Sequence, residues 1–230
     1  MESIQYQGRE IRRWERGPSS FLVAPEAGAR LMNWNITLGD GSVRDVIHWP
    51  ETLATQEFAK VRGGNPILFP FAGTSYADGR RDHWSCPNGN ILPMPQHGFV
   101  RQGTFRIASI DEYGFAAEFE PSEEARVCYP FDYGLLVVYR FADLHVQVSL
   151  VLENNGSQPI PWSPGYHFYF QLPWRRNLTR DDFFLNIPAK KNFAYEADGH
   201  LRKLDGPSGQ VRFSEPSLVN CIHTGLKEPE

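Results

Sequence analysis

Alternation with a period of two is the feature that most restricts how this chain can fold. Val146, Val148, Leu150 and Leu152 alternate with His145, Gln147, Ser149 and Val151, and Phe115, Ala117 and Phe119 alternate with Ala116, Glu118 and Glu120. Successive side chains on a strand leave opposite faces, so both stretches read as half-buried antiparallel strands. Tyr133 to Phe141 is a continuous apolar and aromatic run, expected to be buried on both faces, and Ala142-Asp143-Leu144 is the hairpin connection that follows it. From Met1 to about Pro50, Ile4 and Tyr6, the Phe21-Leu22-Val23 run, and the alternating Met32, Trp34, Ile36 and Leu38 predict a meander that turns at Gly39-Asp40-Gly41. With 18 prolines, 20 glycines and 13% aromatic residues in 230 positions, the composition suits many strands and turns better than a helix bundle. One short helix is expected, over Glu51 to Val61. No internal repeat or linker interrupts the pattern, so the expected fold class is all-β, a single large antiparallel β-sandwich over residues 1–230.

Charge and cysteines narrow the function classes. A net charge of -4 offers no bulk attraction to nucleic acid or to an anionic membrane surface. Cys86, Cys128 and Cys221 are odd in number, widely spaced and without a CxxC pair, which points to reduced thiols rather than a disulfide framework or a zinc site. No leader pattern follows Met1 and no apolar run approaches membrane-spanning length, so the expectation is a soluble cytoplasmic protein, monomeric or weakly dimeric.

Three stretches carry chemistry. In Pro161-Trp162-Ser163-Pro164-Gly165-Tyr166-His167-Phe168-Tyr169-Phe170, a strand would send Phe168 and Phe170 one way and His167 and Tyr169 the other. Met94-Pro95-Gln96-His97-Gly98-Phe99-Val100-Arg101 holds a second glycine-flanked histidine, at the end of a Gly/Pro/Asp/Arg-rich stretch, Gly73 to Gly98, expected as a long surface excursion. In Arg62-Gly63-Gly64-Asn65-Pro66-Ile67-Leu68-Phe69-Pro70-Phe71, two glycines permit close backbone approach and two prolines forbid a helix. Arg62, His97, Arg101 and His167 stand at such junctions and are placed together in one concave site. Taken singly, each also has a structural reading: a salt-bridged arginine, a turn-bonding His97, a His167 satisfied by its neighbours. No HxH or HxxxH pairing supports a metal, Ser163 lacks a GxSxG elbow, and no glycine-rich segment lies between a strand and a helix for a dinucleotide.

In order and separation, Arg62-Gly63-Gly64-Asn65-Pro66-Ile67, Pro95-Gln96-His97-Gly98-Phe99-Val100-Arg101 and Gly165-Tyr166-His167-Phe168-Tyr169-Phe170 resemble the aldose 1-epimerase (galactose mutarotase-like) family, most closely its hexose-6-phosphate 1-epimerase branch. The resemblance extends from about Phe21 to Leu226. It implies a β-sandwich that interconverts the α and β anomers of an aldose without a cofactor. A base takes the C1 hydroxyl proton, an acid protonates the ring oxygen, and the opened chain recloses on the other face. By resemblance His167 matches the general acid, His97 the second histidine near the ring oxygen, and Arg62 a substrate-binding arginine. Gln96 and Arg101 join Arg62 as expected substrate contacts, with Lys60, Arg62 and Arg101 as candidates for a phosphate clamp. Asn220 stands where the family commonly has a sugar-binding Asp. The family's base, a glutamate on a late strand, is expected beyond Glu230, with Glu228 and Glu230 too early and the sandwich lacking its last strands. The competing expectation is a carbohydrate-binding sandwich without the base, and a third is an unrelated sandwich with a structural His167.

Overall fold

The Met1–Pro50 meander forms one antiparallel sheet of β1 (Glu2–Tyr6), β2 (Arg9–Arg16), β3 (Ser19–Ala24), β4 (Arg30–Thr37) and β5 (Val43–Ile47), in sequence order. This is a computed structural model that describes residues 1–53, 57–196, 199–204, 210–215, 218–219 and 221–226. The chain divides into two compact units, Met1–Ala77 with Asp82–Gln171, and Asp78–Arg81 with Leu172–Glu230.

In the first unit a second antiparallel sheet runs through Thr104–Asp111, Gly114–Glu120, Tyr133–Ala142 and His145–Asn154. Ala142 pairs with His145, so Asp143 and Leu144 make the two-residue hairpin. Its buried face meets the first sheet through aromatic rings: Phe21 stacks on Phe141 at 4.6 Å, and Trp14 lies 5.1 Å from Phe141 and 5.7 Å from Phe115. Such contacts between two inner faces define a sandwich core. The first sheet is covered on its other face as well. Phe21 and Val23 enter the core between the sheets, whereas Ala24 and Met32 join Ile11, Trp49 and Val61 in a second cluster. The Phe21-Leu22-Val23 run is apolar because both of its faces are covered.

Several expectations need correction. Tyr133 to Phe141 is buried on one face only: Leu135, Val137, Tyr139 and Phe141 are inside, while Leu136 and Val138 are half-buried and Arg140 is exposed. The stretch from Gly73 to Gly98 includes a hairpin of His83–Ser85 and Ile91–Pro93, anchored by buried Trp84 and Met94, with the Trp84 indole donating to the Cys128 carbonyl at 3.0 Å. The helix expected over Glu51 to Val61 is found, among the described residues, only as the 3-10 turn Phe58–Lys60. Glu57 and Val61 on either side of the turn are extended, and the carbonyls of Phe58, Val61 and Gly63 accept from the Arg30 guanidinium. Strand Gly165–Tyr166 is two residues long, with Phe170 returning as a single bridge to Ile47.

The second unit is also antiparallel. Phe184–Asn186 pairs with Gln210–Arg212, and Ala189–Tyr195 lies between Leu201–Leu204 and Cys221–Leu226. The expected Asn220, and Glu228 and Glu230, lie outside the described residues, as does Asp205, an acidic residue in a Gly/Pro-containing stretch of the sequence.

Candidate functional site

The three glycine-flanked stretches meet because one of them, Gly63 to Phe69, is a strap to which the others are bonded. On one side the Gly64 N–H donates to the His48 carbonyl at 2.7 Å and the Asn65 N–H to the Leu31 carbonyl at 2.7 Å. On the other, Ile67–Leu68 pairs with Gly165–Tyr166, and the Tyr169 N–H donates to the Gly64 carbonyl at 2.9 Å. At the end of the strap Gly98 bridges Phe69, and the Phe99 N–H donates to the Phe69 carbonyl at 3.1 Å. Only glycine tolerates these crossings. Gly64 has φ +71°, and a Cβ there would stand 2.2 Å from the Leu31 oxygen.

Asn65, fully buried, ties the strap to the catalytic candidates. Its amide donates to the Tyr139 hydroxyl at 2.9 Å, and its Oδ1 accepts from the His167 N–H at 3.1 Å. His167 is thereby fixed through its backbone while its ring is left exposed. The alternation expected of this stretch is present in its rings: Tyr166, Phe168 and Phe170 follow one another at 6.0 and 5.7 Å, and His167 lies 5.0 Å from Tyr169.

A cavity of about 450 Å³ is lined by Lys60, Arg62, Gln96, His97, Arg101 and His167, together with Tyr169 and Leu68. The two imidazoles face each other edge to face, with centroids 5.6 Å apart. Among the described residues no carboxylate lines this cavity, and no cluster of His, Cys, Asp or Glu is arranged to hold a metal ion. A roomier concavity of about 560 Å³ lies around Cys86, Phe131 and Pro159, but Asp132 is the one charged side chain among its described lining residues, and it holds no paired acid and base.

His97 has a defined protonation state. The Gly73 N–H donates to its Nδ1 at 3.0 Å, and the His97 backbone N–H returns a bond to the Gly73 carbonyl at 2.7 Å. A nitrogen that accepts carries no proton, so the neutral ring keeps its hydrogen on Nε2. Burial first, then Arg101 and His167, push the His97 imidazole down to about 4. Since this lies below the ordinary value of about 6.5, the stability contributed by neutral His97 is complete above that value and is lost as pH falls toward the folded-state one. At neutral pH His97 is therefore a hydrogen-bond donor toward whatever fills the cavity, held with φ +68°, a left-handed conformation uncommon for a side-chain-bearing residue.

Arg101 makes no ion pair among the described residues, and its buried Nε has no partner. Lys60 is paired with Glu57 at 2.8 Å, whereas Arg62 is exposed to the cavity. Sequence reasoning named these cations but missed Arg30, which is buried beneath them, and the part played by Asn65. The signal for Arg30 was its place two residues before Met32, on the strand face that alternation sends inward.

The chain resembles known proteins over the region that forms this site. It is 18% identical, with a TM-score of 0.72, to a galactose mutarotase related enzyme from Lactobacillus acidophilus, matching 89% of this chain and 65% of that one. With a galactose mutarotase-like protein from Lactobacillus casei it shares 20% identity and a TM-score of 0.64, over 93% of this chain and 67% of the other. A curated relative, Protein LacX of Lactococcus lactis, is 24% identical over 131 residues, so the match spans 54% of this chain but only 42% of the relative. The family model described as Aldose 1-epimerase matches residues 16–212, which include all three glycine-flanked stretches, and the chain belongs to the aldose 1-epimerase family.

Proposed function

We propose that the cavity binds a hexose 6-phosphate and that its chemistry is the interconversion of α and β anomers by acid–base ring opening. The observation that carries this reading is the charge of the lining: Arg62 and Arg101, with Lys60 paired to Glu57, line the cavity together with the two histidines and with no carboxylate among the described lining residues, in a chain whose net charge is -4. A volume of about 450 Å³ falls in the usual range for small-molecule sites, roughly 300–1,000 Å³. Arg62 and Arg101 are suited to the phosphate, because a guanidinium matches its oxygens in geometry and charge. Gln96 supplies a neutral amide to phosphate or hydroxyl. His97, donating from Nε2, orients the ring oxygen, and His167, with its ring exposed beside it, carries the mobile proton that the ring oxygen receives. The C1 proton needs a base, and the described lining offers no carboxylate for it. That observation favours the second reading, a carbohydrate-binding sandwich of the same family without catalysis.

Replacing Arg101 by Ala is expected to weaken binding of glucose 6-phosphate by about 1.5–3 kcal/mol, a charge-assisted contact, and to leave binding of glucose nearly unchanged. Isothermal titration with both ligands checks this. Equal weakening of the two would rule out a phosphate clamp built on Arg101.

A further inference from the structure

Arg30 enters the fold at the start of β4 and is completely buried, yet no carboxylate pairs with it among the described residues. Its guanidinium donates to the carbonyls of Phe58 at 2.9 Å, Val61 at 2.5 Å and Gly63 at 2.6 Å, and it packs over the rings of Trp49 and Phe58 at 5.1 and 5.3 Å. A buried charge without a counter-ion is costly unless dipoles or rings replace its hydration, and three carbonyls with two aromatic faces do so here. These carbonyls flank Lys60 and Arg62, the two cations on that wall of the cavity. One guanidinium bonded to all three oxygens holds the backbone that bears Lys60 and Arg62.

We propose that Arg30 is the positioning residue of an anion subsite for a sugar phosphate: it fixes the backbone that bears Lys60 and Arg62 and keeps a buried positive charge behind it. The inference rests on the sugar-phosphate reading of the cavity. It adds that recognition of the phosphate depends on a side chain that does not touch the ligand. A core arginine that merely fills space would support glucose and glucose 6-phosphate alike.

The test uses the whole 230-residue chain with Arg30→Lys and Arg30→Gln, titrated with inorganic phosphate, glucose 6-phosphate and glucose, alongside thermal melts. Arg30→Lys keeps the charge and loses the fork, and is expected to raise the Kd for glucose 6-phosphate about fivefold. Arg30→Gln loses both and should raise it about thirtyfold, with glucose changed less than about twofold in either case. An unchanged ratio of glucose 6-phosphate to glucose affinity in Arg30→Lys overturns the inference, even where Arg30→Gln fails to fold. A wild-type chain that binds glucose but neither phosphate ligand would defeat the sugar-phosphate reading, and this inference with it. Normal phosphate binding with indifferent Arg30 variants would defeat this inference alone. A measurement without any variant completes the test: inorganic phosphate should slow amide hydrogen exchange over residues 58–63 of the wild-type chain, and no slowing there counts against the role.

Discussion

The 230-residue chain is expected to exchange the anomers of glucose 6-phosphate about 10²–10⁴-fold more slowly than a site with both proton-transfer groups in place, and His167→Asn should remove most of what remains. Ring opening needs a proton delivered to the ring oxygen and another taken from the C1 hydroxyl. His167 is exposed in the cavity and can deliver the first. His97 cannot readily take the second, because its Nδ1 already accepts from the Gly73 N–H and its Nε2 carries the ring hydrogen. No carboxylate is among the described lining residues, so none of them is a carboxylate base for the second transfer. Exchange NMR on wild-type and His167→Asn chains checks this. Fast exchange that His167→Asn abolishes would mean that a carboxylate within residues 1–230 reaches the cavity, and Asp205 would be the first to substitute.

Gly98→Ala is expected to destabilise the chain by about 4 kcal/mol, lowering Tm by roughly 10 °C. Gly98 has φ +67°, and a Cβ there would stand 1.9 Å from the Phe69 oxygen and 2.4 Å from its carbonyl carbon. That carbonyl also accepts from the Phe99 N–H at 3.1 Å, so the clash falls on the bridge that brings His97 to the strap. Gly89 supplies the control: its φ is +87° but nothing lies within 4 Å of a Cβ, so Gly89→Ala should cost only about 1 kcal/mol. Thermal melts of the two variants that moved together would show that the close approach at Gly98 is not essential.

What could be read from the sequence follows from what each residue answers to. Val146, Val148, Leu150 and Leu152 form one half-buried face packed on the core, so their alternation showed the strand directly, and the Met1–Pro50 meander was legible for the same reason. The glycine-flanked motifs were legible because Gly64 and Gly98 sit where another backbone passes too closely for a side chain. The hairpin from His83 to Pro93 was not, since Trp84 and Met94 anchor it as single apolar residues without a period. The helix Glu123–Cys128 carried a local signal that went unused: Ser122 accepts from the Ala125 N–H, and Glu123 and Glu124 fill the first turn. Arg30 was hidden by its charge, because a fully buried arginine is rare enough that composition argues against it, and its partners are backbone carbonyls about 30 positions away. The stretch over Glu51 to Val61 misled because its helical part, among the described residues, is confined to Phe58–Lys60, where Glu57 and Val61 on either side take extended backbone conformations.

The proposal that His97 and His167 share one sugar-phosphate cavity is tested most directly by following the imidazole resonances of all seven histidines while glucose 6-phosphate is added near pH 6.5. His97 should begin as the neutral Nε2–H tautomer, titrating only near 4 in the free chain. On addition of ligand the His97 and His167 signals should shift together, with one common Kd, while His48, His83, His145, His200 and His223 stay in place. A sugar phosphate that shifts only one of the pair, or that leaves both still while moving the others, would contradict the assignment of this cavity.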